Sequence, residues 1–134
     1  YWTHWLEMGK QLGDKAPRIF QVNWFRKAPD GHWLWPGFGE NSRAIEWALR
    51  RVNGEIDATD AISGRIPAPG DLNVEGLDIS EEDLAALFAY DTGSWGREAA
   101  LTEEYFNQFG DKTPEELNTQ LWYLRERIAK AAQA

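Results

Sequence analysis

Cysteine is absent from the 134 residues, which excludes disulfides and thiol chemistry and suits a cytosolic setting. No apolar run approaches the roughly 20 residues that cross a bilayer, so no membrane partner is expected. A basic-then-apolar leader is also missing, although the chain opens at Tyr1 rather than at methionine and leaves room for one upstream. Histidine occurs only as His4 and His32, far apart and without a carboxylate at ligand spacing; helix-surface and turn positions are expected for them, not metal ligation. The phosphate-loop pattern G-x-x-x-x-G-K-S/T does not occur, and no nucleophile–base pair can be assembled with conviction. There is no internal repeat and no low-complexity run.

What is present is unevenly charged. Residues 1–53 carry 8 Lys and Arg against 5 Asp and Glu, whereas residues 54–134 carry 6 against 17. So acidic a second half repels a nucleic-acid polymer or an anionic membrane, and the mildly basic first half better suits a small anion. Most of the acidic residues read as solvated helix faces.

The aromatic residues carry more information. Between Phe25 and Arg43 the sequence FRKAPDGHWLWPGFGENSR sets Phe25, Trp33, Trp35 and Phe38 around Gly37 and Gly39, followed by Asn41 and Ser42. Ring faces, a backbone that a ligand can approach and a planar amide with both donor and acceptor together suit a flat ligand such as a nucleobase. Period-two alternation in RIFQVNWF predicts a strand with Phe20, Val22 and Trp24 on one face and Gln21, Asn23 and Phe25 on the other. KAPDGH then reverses the chain into HWLW, whose strand spacing puts Trp33 and Trp35 on one face. Trp24 and Trp35 read as core, whereas Phe25, beside polar neighbours, reads as a ligand or interface residue. Gly37 and Gly39 taken alone read as turn geometry.

Around this segment the pattern is helical. Trp2, Trp5, Leu6 and Gly9 predict a helix over 2–12, with room for partners to these apolar anchors upstream. Asn41 or Ser42 caps a helix to about Val52, striped by Ile45, Ala48, Leu49 and Val52. The exposed amides at that helix start favour a carbonyl or anionic ligand atom, such as a guanine O6 rather than an adenine amino group. Residues 54–79, rich in glycine and proline, read as an irregular connection with room for one short strand or hairpin. Helices follow from Ser80, over 94–108, and from Thr113-Pro114-Glu115-Glu116, read as a capping box with proline at the first helical position. Leu117, Leu121, Leu124 and Ile128 form the buried face of the last helix. The reading is α+β: a short β-hairpin with an aromatic loop and its helix (1–53), the connection (54–79) and a mainly helical tail of about three helices (80–134).

The segments KAPRIFQVNWFRK and WLWPGFGENSRAIEW closely resemble the C-terminal part of GTP-dependent phosphoenolpyruvate carboxykinase, an α/β enzyme. The match is dense from about Trp2 to Asn53 and looser beyond, where ISEEDLAALF continues it. The resemblance implies reversible conversion of oxaloacetate and GTP to phosphoenolpyruvate, GDP and carbon dioxide, with Mn and Mg whose ligands lie upstream, and cytoplasmic location. It matches Phe25 and Phe38 to the aromatics that sandwich guanine and the run Phe38, Gly39, Glu40, Asn41 to the stretch that contacts the base edge. Trp33 falls where the family often has phenylalanine and is expected to line the same pocket with a larger ring. The implied partners are guanine nucleotide and the remainder of the enzyme's own chain, and the 134 residues alone are expected to be inactive. Two other readings compete: a non-catalytic aromatic binding module, and a structural domain whose tryptophans are all core. The second predicts almost no accessible tryptophan.

Overall fold

Helices form in the five stretches read as helical from the sequence. A computed structural model describes residues 1–133 and has five α-helices, α1 (Trp2–Leu12), α2 (Asn41–Val52), α3 (Glu81–Phe88), α4 (Thr92–Asn107) and α5 (Glu115–Ala131). Single 3-10 turns occupy Gly13–Lys15, Phe38–Glu40 and Gly110–Lys112, and the strands β1 (Thr59–Ala61) and β2 (Gly64–Ile66) pair antiparallel. No helix among the described residues is long and apolar enough to cross a membrane. The chain divides into two units, Arg18–Ala89 and a second that joins residues 1–17 to the chain from Tyr90 onward.

In the second of these, α4 packs along α5 and buries Ala99 and Leu121. Leu117, Leu124 and Ile128 are half-buried beside Leu121, as the helical spacing predicts. Trp2 of α1 meets the rings of Tyr105, Phe106 and Phe109 edge-on at centroid distances of 6.3, 5.7 and 4.9 Å. Its partners thus lie downstream in the chain. Arg125 clasps both carboxylate oxygens of Glu103 at 3.0 and 2.8 Å, linking α5 to α4. The expected capping box at 113–116 does not form, because both of its members are taken. The Thr113 hydroxyl donates to the Phe106 carbonyl at 2.9 Å, the Glu116 carboxylate accepts from Lys10 at 2.9 Å, and Pro114 sits one residue before the helix.

The unit Arg18–Ala89 is organised around Leu34, Trp35, Trp47 and Ile62, its buried apolar residues. The predicted strand over 18–25 is not formed. A strand persists only with its amides and carbonyls paired, and among the described residues 18–25 find no ladder partner; the Phe25 N–H instead bonds the Asn23 side-chain oxygen at 2.9 Å in a local turn. Phe20 and Val22 are consequently exposed and Trp24 is half-buried. The reversal itself is present in miniature: Lys27 bridges Trp33, the Leu34 N–H donates to the Arg26 carbonyl at 3.0 Å and the Ala28 N–H to that of His32 at 2.9 Å. Past this bridge strand geometry ends, so Leu34 and Trp35 turn inward consecutively and Trp33 does not share a face with Trp35. The regular hairpin lies in the connection instead, with Asp60 opposite Arg65.

Helix α2 has the predicted limits but a different inner face. Trp47 is its buried residue, and the expected stripe residues Ile45, Leu49 and Val52 are exposed along one ridge. The large Trp47 ring, edge-on to Phe20 at 6.0 Å, sets which side turns in. Helix α3 starts as read, with the Ser80 hydroxyl accepting the Asp83 N–H at 3.0 Å.

Candidate guanine-binding site

The aromatic loop is built on the 26–34 reversal and the entry to α2. Arg26 fixes the base of the reversal, its guanidinium donating to the Leu87 and Ala89 carbonyls at 2.9 and 2.7 Å, where α3 runs out of intrahelical partners for its carbonyls. Asp30 and Gly31 make the turn, with the Gly31 N–H on the Ala28 carbonyl at 2.9 Å. On this support stand Phe25, 73% exposed, and Trp33, 51% exposed, their ring centroids 6.0 Å apart and edge-to-face. The Lys27 ammonium lies 4.1 Å from the Trp33 ring centroid, a cation–π contact that alternation alone could not foretell.

Gly37 then turns the chain with φ 79° and ψ −160°, a conformation open essentially to glycine. Phe38 follows at φ 48°, the single non-glycine residue with positive φ among those described, and its ring is 95% exposed. Among the described residues the Phe38 ring makes no ring contact, so Phe25 and Trp33 are brought together and Phe38 is presented separately. Gly39 needs no special backbone angle, and a methyl group there would meet nothing within 4 Å.

Neither Asn41 nor Ser42 caps α2. The helix is entered through the Phe38–Glu40 turn, whose bonds already engage the Glu40 and Asn41 N–H groups on the Gly37 and Phe38 carbonyls, so these expected free amides are occupied. The Ser42 hydroxyl donates to the Gly39 carbonyl at 2.7 Å. Asn41 Oδ1 accepts the Trp35 indole N–H at 3.0 Å. An indole nitrogen only donates, so the Asn41 amide must turn its oxygen inward and its NH₂ outward. Glu40 accepts from Arg43 Nε at 2.5 Å, and Arg43 Nη1 also donates to the Asn73 carbonyl at 2.9 Å, tying the loop to the connection. The Arg43–Asn73 contact spans 30 residues and leaves no local sequence signal.

The family described as phosphoenolpyruvate carboxykinase C-terminal P-loop domain matches residues 1–127, from α1 into α5. The chain belongs to this family. Relatives named phosphoenolpyruvate carboxykinase (GTP) from Renibacterium salmoninarum, Corynebacterium efficiens and Corynebacterium kroppenstedtii are 45%, 41% and 39% identical over 130, 134 and 131 residues, covering 96%, 100% and 98% of this chain. The chain spans about a fifth of their length, 21%, 22% and 21% respectively. The carboxykinase match thus continues through the helical tail, well past Asn53. Trp5, Trp33 and Trp122 are exposed, which the reading as a purely structural domain does not predict.

Proposed function

We propose that this chain supplies the guanine pocket of a GTP-dependent phosphoenolpyruvate carboxykinase, which converts oxaloacetate and GTP to phosphoenolpyruvate, GDP and carbon dioxide. Phe25 and Phe38 clamp the base, Trp33 lines the pocket, and Asn41 with the Phe38–Gly39–Glu40 backbone reads the base edge. The observation that carries this is the Trp35–Asn41 hydrogen bond, because it commits the Asn41 NH₂ to donation. Guanine offers O6 as an acceptor where adenine offers an amino donor, so a fixed donor separates the two.

The division of labour follows from magnitudes. Stacking contributes roughly 1–3 kcal/mol per base without discriminating, since every base has a ring face. Selectivity comes from polar groups left unpaired by the wrong base, at about 1–3 kcal/mol each. The nucleotide phosphates, bound outside these residues, account for the remaining affinity, and the chain alone binds weakly and does not catalyse. On the same reading Mn and Mg are held by the remainder of the enzyme. The setting is cytoplasmic, with no nucleic-acid or membrane partner.

A titration of the chain with GDP, and with ADP as control, followed through the tryptophan indole N–H signals, tests the reading. GDP is expected to shift the Trp33 and Trp35 signals where ADP at equal concentration does not. A dispersed spectrum that moves equally with both nucleotides, or with neither, overturns it.

A further inference from the structure

His32 precedes Trp33 in the reversal and joins two elements. Its Nδ1 is 2.6 Å from Asp30 Oδ1 on its own turn, and its Nε2 is 3.1 Å from Asp83 Oδ1 in the first turn of α3. Its backbone is held as well, with the N–H donating to Asp30 Oδ1 at 3.1 Å and the carbonyl accepting from Ala28 at 2.9 Å. The charged groups around the ring are Asp30 from the turn and Glu82 and Asp83 from α3, all lining one open recess, while Lys27 of the facing arm is turned onto Trp33.

The two ionised carboxylates can only accept, and an imidazole has two N–H donors only when protonated. Neutral His32 therefore leaves one ring nitrogen with its lone pair against a carboxylate. With the proton kept on the shorter contact, the longer one, which reaches α3, is given up. Arg26 then remains as the tie between the reversal and α3, at the opposite end of that helix.

We propose that His32 is a positioning residue for the guanine pocket, its protonated ring clasping the Trp33 reversal to α3 through Asp30 and Asp83, so that nucleotide affinity depends on a proton held away from the nucleotide. The proposal rests on the reading of Phe25 and Trp33 as guanine-facing residues. Hydrogen bonds to Asp30 and then Asp83 raise the His32 pKa above its ordinary value of 6.5, and the His32 backbone and ring hold Asp30 below 3.8, keeping it ionised. The clasp is accordingly complete below about pH 6.5 and is lost as pH rises through the raised His32 value.

The test measures GDP affinity of the full-length enzyme carrying this segment from about pH 5.5 to about pH 9, alongside NMR of the His32 ring and the Trp33 indole. Wild-type affinity is expected to fall roughly three- to tenfold, the scale of one hydrogen bond, as His32 deprotonates, with the Trp33 signal moving at the same midpoint. Asp83→Asn lowers that midpoint toward the ordinary histidine value and shrinks the fall; His32→Gln removes the His32-linked fall and leaves only the titration of the nucleotide phosphate. A wild-type pH profile in His32→Gln, or a Trp33 signal indifferent to the His32 midpoint, overturns the clasp. Phe25→Ala separates the two readings. If it weakens GDP binding at every pH while His32→Gln retains the wild-type profile, the pocket stands and the clasp alone is wrong; if it leaves GDP binding unchanged, the pocket reading fails and the clasp falls with it.

Discussion

The indole N–H of Trp35 donates to Asn41 Oδ1 at 3.0 Å, so a buried core residue fixes which way round an amide sits. The two side chains are close in sequence, yet strand and capping rules assign them unrelated tasks.

Asn41→Asp keeps the acceptor for Trp35 and removes the outward donor. In the complete enzyme it is expected to lower the preference for GTP over ATP about fivefold or more, the scale of one hydrogen bond, and to change the chemical step less. Steady-state kinetics with both nucleotides checks this, and equal losses with GTP and ATP count against it. Asn41→Ala should act alike on preference while also stranding the Trp35 N–H.

Phe25→Ala removes a ring that is mostly solvated. Stability should change by less than about 1 kcal/mol, as for exposed positions generally, while the nucleotide KM rises by roughly tenfold from lost stacking. A large drop in Tm would show the ring to be packed.

Gly37 and Gly39 should separate cleanly. Gly37→Ala forces a side chain into a glycine-only conformation, at about 1–3 kcal/mol in a urea unfolding measurement. Gly39→Ala meets no neighbour and should leave stability nearly unchanged, yet weaken GDP binding if the base edge approaches that backbone. Unaltered GDP affinity in Gly39→Ala would remove Gly39 from the pocket.

Trp47 is 7% exposed and its Nε1 is buried with no hydrogen-bond partner among the described residues. Trp47→Ala should destabilise Arg18–Ala89 by about 3–5 kcal/mol, whereas Trp47→Phe should lose far less, because the unpaired donor leaves together with the lost volume. Comparable losses in chemical denaturation would contradict this.

Acid acts in the opposite direction to the His32 titration. The Ser94 hydroxyl and Gly93 N–H hold Asp91 below its ordinary value, Arg125 does the same for Glu103, and Lys10 for Glu116. These carboxylates therefore contribute fully above their ordinary values, near 3.8 for Asp91 and 4.5 for the glutamates, and the contribution disappears as pH falls through the lowered ones. Asp91→Asn with Glu103→Gln should flatten the acid limb of a thermal-stability profile; an unchanged limb would refute the assignment.

Much of this was legible because it is local. Helix limits at Trp2–Leu12 and Asn41–Val52 agree with those predicted, although the cap and inner face read for the second do not, and the 26–34 turn follows from Pro29, Asp30 and Gly31. What escaped was set by partners distant in sequence. RIFQVNWF alternates as a strand should, but alternation states a preference for pairing and supplies no pair. The Ile45, Leu49 and Val52 stripe is equally regular, yet Trp47 packs inward against Phe20 and leaves that stripe outside. Thr113 and Glu116 carry the right letters for a cap, but Phe106 and Lys10 claim them first. His32 looked solitary because one of its carboxylates comes from 51 residues away. The aromatic segment was visible as composition, whereas the orientation of Asn41 and the anchoring by Arg43 required the fold.

Phe38 makes a last point about tolerance to change. At φ 48° a ring-bearing residue occupies backbone territory that glycine would enter more easily. Selection for a sturdier loop and selection for a ring offered to a ligand therefore pull this position in opposite directions. A stabilised variant that relaxes the turn there would be expected to surrender the aromatic surface with it, so thermal screening alone would steer an engineer away from a ring that the proposed pocket uses.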